Sequence, residues 1–354
     1  MARRGRVILL WSNMGVKFIL PAMSESRQAL LGDLLKATSR SFYLTLRVLP
    51  AAVRPQIGLA YLLARTTDTI ADTEILPVAQ RLAALQSLAE RIAGTASAPL
   101  NFTELARSQG LPAERVLLEK VEASLRLLGE LTPADLVLVR TVLQVIVSGQ
   151  ELDLQRFAGA NAQHIMALEA EAELADYTYR VAGCVGEFWT RLCRAHLFPR
   201  ASLDEATLLA EGIRFGQGLQ LVNILRDLPA DLRQGRCYLP RTRLMAAGLT
   251  PESLWLPGNE SMVLPLLHHY LDEAEAHLRA GWNYTNTLPR GCVRVRLGCA
   301  WPILIGLRTI AKLRAARVPE WQQRVKISRR EVRGILARSI INYPFPGAWR
   351  RLGD

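Results

Sequence analysis

The stretch GLAYLLARTTDTIADTE, residues 58–74, sets three acids into an otherwise apolar run. Asp68 and Asp72 are four residues apart, so on a helix both carboxylates leave one face about a turn from each other. Two such charges repel unless something positive lies between them. Taken alone, the pair reads most simply as an exposed acidic patch near a helix end. Glu74 falls off that face and is expected in solvent.

Outward from this stretch the chain is dominated by helical periodicity. Leu82, Leu85, Ala89 and Ile92 recur at three- and four-residue spacing, as do Leu117, Val121 and Leu125, while apolar/polar alternation over a strand length is hard to find. Ala, Leu, Arg, Glu and Gln, all good helix formers, fill these segments. The fold class is therefore all-α. Helices are expected over 27–38, 42–49, 55–73, 78–93, 113–128, 133–157, 174–196, 203–232, 263–285, 292–316 and 329–342. The breaks GTASAPLN (94–101) and GLTPESLWLPGNES (248–261) read as short loops rather than linkers. One helical domain over 25–345 is expected, followed by a short basic tail, 346–354. Residues 1–24, MARRGRVILLWSNMGVKFILPAMS, superficially resemble a signal peptide, but Asn13 and Lys17 interrupt the apolar run. They read as a leader or a mis-assigned start, outside the fold.

A second acid pair changes the meaning of the first. In GLQLVNILRDLPADLRQGRCYLP (218–240), Asp227 and Asp231 are again four apart, Asn223 extends their face by a turn, and Gln220 lies within reach. Facing helices that present carboxylates into a bundle cavity are a recurring way to hold metal ions. Oxygen ligands without nearby Cys or His point to Mg²⁺ or Mn²⁺, which usually shares its shell with water and substrate phosphates. Arg65 precedes Asp68 by a turn, Arg226 adjoins Asp227 and Arg236 follows Asp231. Acids accompanied by arginines suit a metal and a diphosphate together; taken singly, each arginine is an intrahelical ion pair worth ~0.3–0.5 kcal/mol. Such a clamp would neutralise a diphosphate leaving group so that an allylic C–O bond ionises. The carbocation left behind needs a dry, partly aromatic cavity, for which Phe42, Tyr61, Tyr177, Phe188 and Phe215 are candidates; any one of them alone reads as ordinary core.

Composition is compatible with this. Of 354 residues, 50% are hydrophobic and 21% charged, and the net charge of +12 suits phosphorylated ligands or an anionic membrane surface. Nucleic acid is not expected, because no helix-turn-helix or finger motif accompanies the charge. Five cysteines without a C-x-x-C pair indicate neither a disulfide framework nor a zinc site, so a reducing cytoplasm is the expected setting. The five histidines show no metal-ligand spacing.

SRSF (39–42), YLLARTTDTIAD (61–72), YTYRVAGCVGEF (177–188) and QLVNILRDLPADLRQGRCYLP (220–240), in that order, resemble the squalene and phytoene synthase family, the head-to-head trans-isoprenyl diphosphate synthases, over roughly residues 34–335. The resemblance implies a single-domain isoprenoid-synthase bundle with a central cavity, probed by farnesyl diphosphate as substrate. It implies that Asp68 and Asp72 form one Mg²⁺ site and Asp227, Asp231 and Asn223 the other. Arg40, Arg65, Arg226 and Arg236 become diphosphate contacts, with Gln220 beside them, and Phe42, Tyr61, Val181 and Val185 line the prenyl cavity. Tyr177 matches a tyrosine that takes part in proton removal.

Within the family, Thr69 after the first Asp, CAWP (299–302) and VKISRR (325–330) resemble squalene synthases, which make presqualene diphosphate and reduce it with NADPH. NILRD and GRCYLP read more like the branch that makes phytoene, dehydrosqualene or hydroxysqualene without reduction. Leu221 and Ile303 stand where squalene synthases often carry lysine and glutamine. No G-x-G-x-x-G follows a strand, so NADPH is expected at the bundle mouth, with Lys326, Arg329 and Arg330 meeting its phosphates; otherwise these residues are a basic helix start facing solvent or lipid. A monomer is expected, with Tyr343, Phe345 and Trp349 beside Arg350 and Arg351 suiting peripheral contact with the inner membrane surface. A non-catalytic helical assembly protein is the remaining alternative, against which the intact acids speak.

Overall fold

Elementary helix chemistry sets most of the element boundaries. The computed structural model describes residues 25–39, 42–317, 321 and 325–354; Arg40 lies outside them. A first helical stretch runs as α1 (Glu25–Gln28), a π-helical segment (Ala29–Leu34) and α2 (Leu35–Ser39). It leads to α3 (Phe42–Val48), α4 (Arg54–Ala71) and α5 (Val78–Ala93). Helix α5 stops where Gly94 takes φ 83°, a left-handed turn that glycine adopts without steric cost. Three short helices follow, α6 (Thr103–Arg107), α7 (Pro112–Glu119) and α8 (Val121–Gly129). The long α9 (Pro133–Arg156) starts with proline just after Thr132, whose hydroxyl accepts from the Asp135 amide at 3.3 Å.

The second half contains α10 (Glu171–Thr178), a π-helical segment (Tyr179–Gly183), α11 (Cys184–Leu197) and the 29-residue α12 (Glu205–Arg233). Asp204 caps α12 at the Thr207 amide, and the helix runs through Pro229 without ending. Then come α13 (Arg241–Ala246), a 3₁₀ turn (Pro251–Trp255), α14 (Glu260–Thr287), α15 (Val293–Ala315), α16 (Arg329–Asn342) and α17 (Pro346–Arg350). A reciprocal Ser328–Glu331 capping box opens α16. Among the described residues the strands are two-residue pieces, β1 (Met166–Ala167) and β2 (Arg236–Cys237), paired in parallel so that Met166 faces Arg236. No described helix is long and apolar enough to cross a membrane.

Several expectations are corrected. The helix expected over 113–128 is broken at Lys120, whose backbone (φ −99°, ψ 10°) leaves helical geometry. The one expected over 174–196 starts at Glu171 and widens into a π segment. The supposed loop at 248–261 contains the 3₁₀ turn. The short basic tail, 346–354, is anchored to the bundle: Trp349 is 2% exposed, stacks on Trp282 at 5.2 Å and donates to Asn286 Oδ1 at 2.7 Å.

The core has two clusters. One gathers Leu59, Leu62 and Leu63 of α4 with residues of α5, α8, α9 and α11; the other gathers Leu221, Leu225 and Leu228 of α12 with α14 and α15. Phe215 touches both. Backbone contact between α11 and α12 joins the halves: a Cβ on Gly186 would lie 1.8 Å from the Gly212 carbonyl oxygen, and one on Gly216 2.2 Å from that of Ala182. Only a hydrogen side chain fits between backbones so close. Gly186→Ala is expected to destabilise by about 1–3 kcal/mol, seen as a lower urea midpoint with unchanged slope. A variant as stable as the parent would show that these helices can part freely.

Candidate active site

Helix α4 buries Leu59, Leu62, Leu63 and Ile70 and turns Asp68 and Asp72 to the other side, as their spacing requires. Asp72 is its C-cap residue, with its amide bonded to the Asp68 carbonyl at 2.9 Å. The buried Arg81 of α5 fixes this end by donating to the Ala71 carbonyl at 2.7 Å. Across the bundle, α12 buries Leu221, Leu225 and Leu228 and presents Gln220, Asn223, Asp227 and Asp231.

Between the halves lies a cavity of about 490 Å³, within the usual range for small-molecule sites. Its apolar wall includes Phe42 stacked on Tyr61 (5.2 Å), Val181, Val185, Phe188 and Phe215. Asp68, Asp72, Arg65, Arg236, Gln220 and Asn223 also line it. A polar vestibule of about 390 Å³ adjoins it and adds Asp227 and Asp231, sharing Asp72, Gln220, Asn223, Tyr177, Arg236 and Tyr238 with the cavity. The sequence-derived acids and amides are thus brought together where an apolar chamber meets a polar one. Lys326, Arg329 and Arg330 are not: they are exposed at the start of α16 and line neither compartment.

The arginines are engaged locally. Arg65 bridges Asp68 and Glu114 of α7. Arg226 forks onto Asp227 through Nε (3.1 Å) and Nη2 (2.5 Å). Arg236 stands between Glu74 (3.5 Å) and Asp153 (3.7 Å); Glu74, expected to be merely solvated, thus belongs to the rim. Tyr177 closes α10 just before the π segment that carries Val181, a feature frequent at functional sites. Its ring stacks on Tyr238 at 4.6 Å, and Tyr238 donates to Asp153 Oδ2 at 3.2 Å. Burial holds the Tyr177 phenol well above its usual pKa, so it is a neutral O–H group.

Burial pushes the Asp231 carboxyl up to about 7, with Asp227 adding to it and Arg236 and Arg226 opposing. Asp153 is pushed up to about 6 by burial, against Arg236 and Tyr238. Asp72 is displaced upward too, by the protein around it and by Asp68. Its side chain still reaches vestibule water, which blunts the effect. Asp153, Tyr238 and Glu114 were missed in the sequence. The available signal for Asp153 was its place three residues after Gln150 on an apolar helix; the Gln150 Oε1 and Asp153 Oδ1 atoms are buried without hydrogen-bond partners.

Among the described residues no three His, Cys, Asp or Glu side chains converge on one point. The donors come as two carboxylate pairs, with Asn223 beside the second. Oxygen-only pairs of this kind fit Mg²⁺, whose remaining positions are filled by water or phosphate oxygens.

The chain matches the squalene/phytoene synthase family over residues 35–331. It belongs to that family. Presqualene diphosphate synthase of Rhodopseudomonas palustris is 30% identical over 258 residues, 73% of this chain and 78% of the relative. The bifunctional lycopene cyclase/phytoene synthase of Blakeslea trispora is 31% identical over 215 residues, 59% of this chain but 32% of the fungal protein. In fold, the solved complex of TcSQS with the ligand E5700 has a TM-score of 0.73 at 22% identity, covering 89% of this chain and 86% of that one. As a squalene/phytoene synthase family member the chain is a prenyltransferase-type enzyme, of a family that joins farnesyl-diphosphate-type substrates head to head with a divalent metal.

The raised carboxyls have a measurable consequence. Asp231 ionises near 4 when unfolded and near 7 when folded, so the metal-free folded state holds the extra proton between those values. Stability then falls as pH rises through that window. Asp231→Asn is expected to raise the melting temperature of the metal-free protein at pH 8, with the gap over the parent narrowing towards pH 5. A gap that does not change with pH would contradict the burial of this carboxyl.

Proposed function

We propose that this enzyme condenses two farnesyl diphosphates head to head into presqualene diphosphate. The observation that carries the proposal is the meeting of two acid pairs, from separate core halves, where an aromatic, apolar cavity joins a polar vestibule. Asp68 and Asp72 on one side, and Asn223, Asp227 and Asp231 on the other, would hold the metal. When bound, Mg²⁺ neutralises the charge that develops on a departing diphosphate. Arg65, Arg226 and Arg236 exchange their carboxylate partners for diphosphate oxygens, which accept the same forked geometry. Gln220 and Asn223, at the boundary of the two compartments, orient the diphosphate end. Phe42, Tyr61, Val181 and Val185 hold the prenyl chains and exclude water from the cationic carbon. Tyr177, neutral and stacked on Tyr238, offers a π face and a hydroxyl to that carbon, and the Tyr238–Asp153 hydrogen bond supplies an acceptor for a proton passed inward.

Two observations support stopping at presqualene diphosphate. The R. palustris relative carries that name, and the basic trio expected to meet NADPH stands away from the cavity. Completion to squalene with NADPH is the second reading, favoured by Cys299 and Pro302 of the CAWP segment lying in the cavity wall.

Incubating the purified protein with farnesyl diphosphate and Mg²⁺, with and without NADPH, separates them. Presqualene diphosphate in both reactions is expected; squalene appearing only with NADPH would establish the second reading, and no turnover would sink both. Asp68→Asn and Asp227→Asn are each expected to lower kcat by about a hundredfold or more while circular dichroism stays unchanged, and a fully active variant would remove that residue from the metal site.

A further inference from the structure

We propose that a second ligand site, apart from the central cavity, lies where α14, α15, α16 and the closing 3₁₀ turn (Arg351–Gly353) meet, and that it takes an aliphatic phosphate ester such as a prenyl diphosphate. The place is a groove of about 440 Å³, within the range of small-molecule sites. It shares no lining residue with the cavity or the vestibule. Helix α15 divides them. Gly298, Cys299 and Pro302 of this helix line the cavity, whereas Leu304, Leu307, Arg308, Ala311 and Arg314 line the groove. Their i, i+3, i+4, i+7, i+10 spacing puts these five on one face.

The groove joins an aliphatic floor to a guanidinium rim. Leu304, Leu307 and Ile310 of α15, Ile335 of α16 and Leu352 supply the floor. Arg279, Arg308, Arg314, Arg338 and Arg351 reach the same groove from four elements, against two carboxylates, Glu275 and Asp354. Glu275 is shared, accepting from Arg279 Nη2 at 2.7 Å and from Arg314 Nη1 at 2.8 Å. Arg314 also holds Asp272, and Arg308 holds Glu331 at 3.0 Å. Among the described residues Arg338 and Arg351 have no carboxylate partner; Arg338 donates to the Gly334 carbonyl of its own helix at 3.3 Å. Exposed ion pairs such as those of Arg279 and Arg308 are weak. A phosphate ester brings several acceptor oxygens and fits guanidinium forks, so it competes well for the same donors.

The lining also narrows the ligand. Among the described residues it holds no aromatic ring on which a nucleobase could stack, and no His, Cys, Ser, Thr or Tyr to act as a nucleophile. The groove therefore binds and does not react. Its walls are held in place, since Arg279 Nη1 donates to the Gly353 carbonyl at 3.3 Å and Trp282 Nε1 to the Arg350 carbonyl at 3.1 Å. Trp301 of α15 likewise donates to Ser339 Oγ of α16 at 2.9 Å. Little ordering is left for the ligand to bring about. The prenyl part of the assignment rests on the condensation proposed above; the anion site does not.

Hydrogen–deuterium exchange of the full chain in EDTA tests this without engaging the metal-dependent site. Farnesyl diphosphate is expected to slow exchange in peptides from 304–314 and 335–354. Farnesol and inorganic diphosphate, each offering half of the ligand, are not. Dodecyl phosphate, a lipid-type source of the same chemistry, should act only at higher concentration. The variant Arg338→Glu with Arg351→Glu should raise the farnesyl diphosphate concentration for half-protection by about tenfold or more, with melting temperature and saturated turnover unchanged. No protection in these peptides, equal protection by inorganic diphosphate, or a double variant that behaves like the parent would overturn the proposal. Dodecyl phosphate acting at the lower concentration would overturn the prenyl assignment. The condensation fails separately, by absence of turnover with Mg²⁺, so the two results are distinguishable.

Discussion

Like charges held together at the mouth of an apolar chamber are the constraint around which this molecule is arranged. Asp68 and Asp72 are carried by a helix of one core cluster, Asp227 and Asp231 by a helix of the other, and repulsion alone would part them. The separation is instead set by packing: α4 is fixed from behind by α5 and α9, α12 by α14 and α15, and the two halves are drawn together where Gly186, Gly212 and Gly216 let backbones touch. Arginines on the same helices offset part of the cost, each leaning on a carboxylate. A divalent cation held by the pairs would relieve the remainder.

That arrangement also explains why the arginines sit where they do without a ligand. Arg65 held between Asp68 and Glu114, and Arg226 forked on Asp227, are each largely withdrawn from solvent by the carboxylates they hold. Exchanging one anion for another costs less than ordering a free side chain. Glu114, on the short α7, thereby becomes a partner of the site although it lines neither compartment.

The helices were legible wherever the chemistry is local. Val78–Ala93 ends, and Arg329–Asn342 begins, where expected because Gly94 and the Ser328–Glu331 box act within a few residues. Both acid pairs were legible because i, i+4 spacing fixes a shared face whatever the tertiary context. Asp153, Tyr238 and Glu114 were not: what makes them part of the site is burial and contact across 49 to 85 positions, which no window on the chain displays. The break at Lys120 and the π segment before α11 answer to packing rather than propensity. For the basic trio at 326–330 the sequence left two settings open, since charge tells what a residue attracts but not which side of a helix it occupies.

The burial of Trp349 bears on how the chain is made. Trp282 near the end of α14 and Arg296 in α15 find their aromatic cover in Trp349 and Tyr343, so a nascent chain that has already delivered every site residue still lacks part of its second core cluster. Neither half can therefore complete its core early in synthesis: the cluster behind Asp68 and Asp72 takes in Tyr284, Leu288, Val295 and Cys299, and the one behind Asp227 and Asp231 takes in Trp349, more than a hundred positions after those acids.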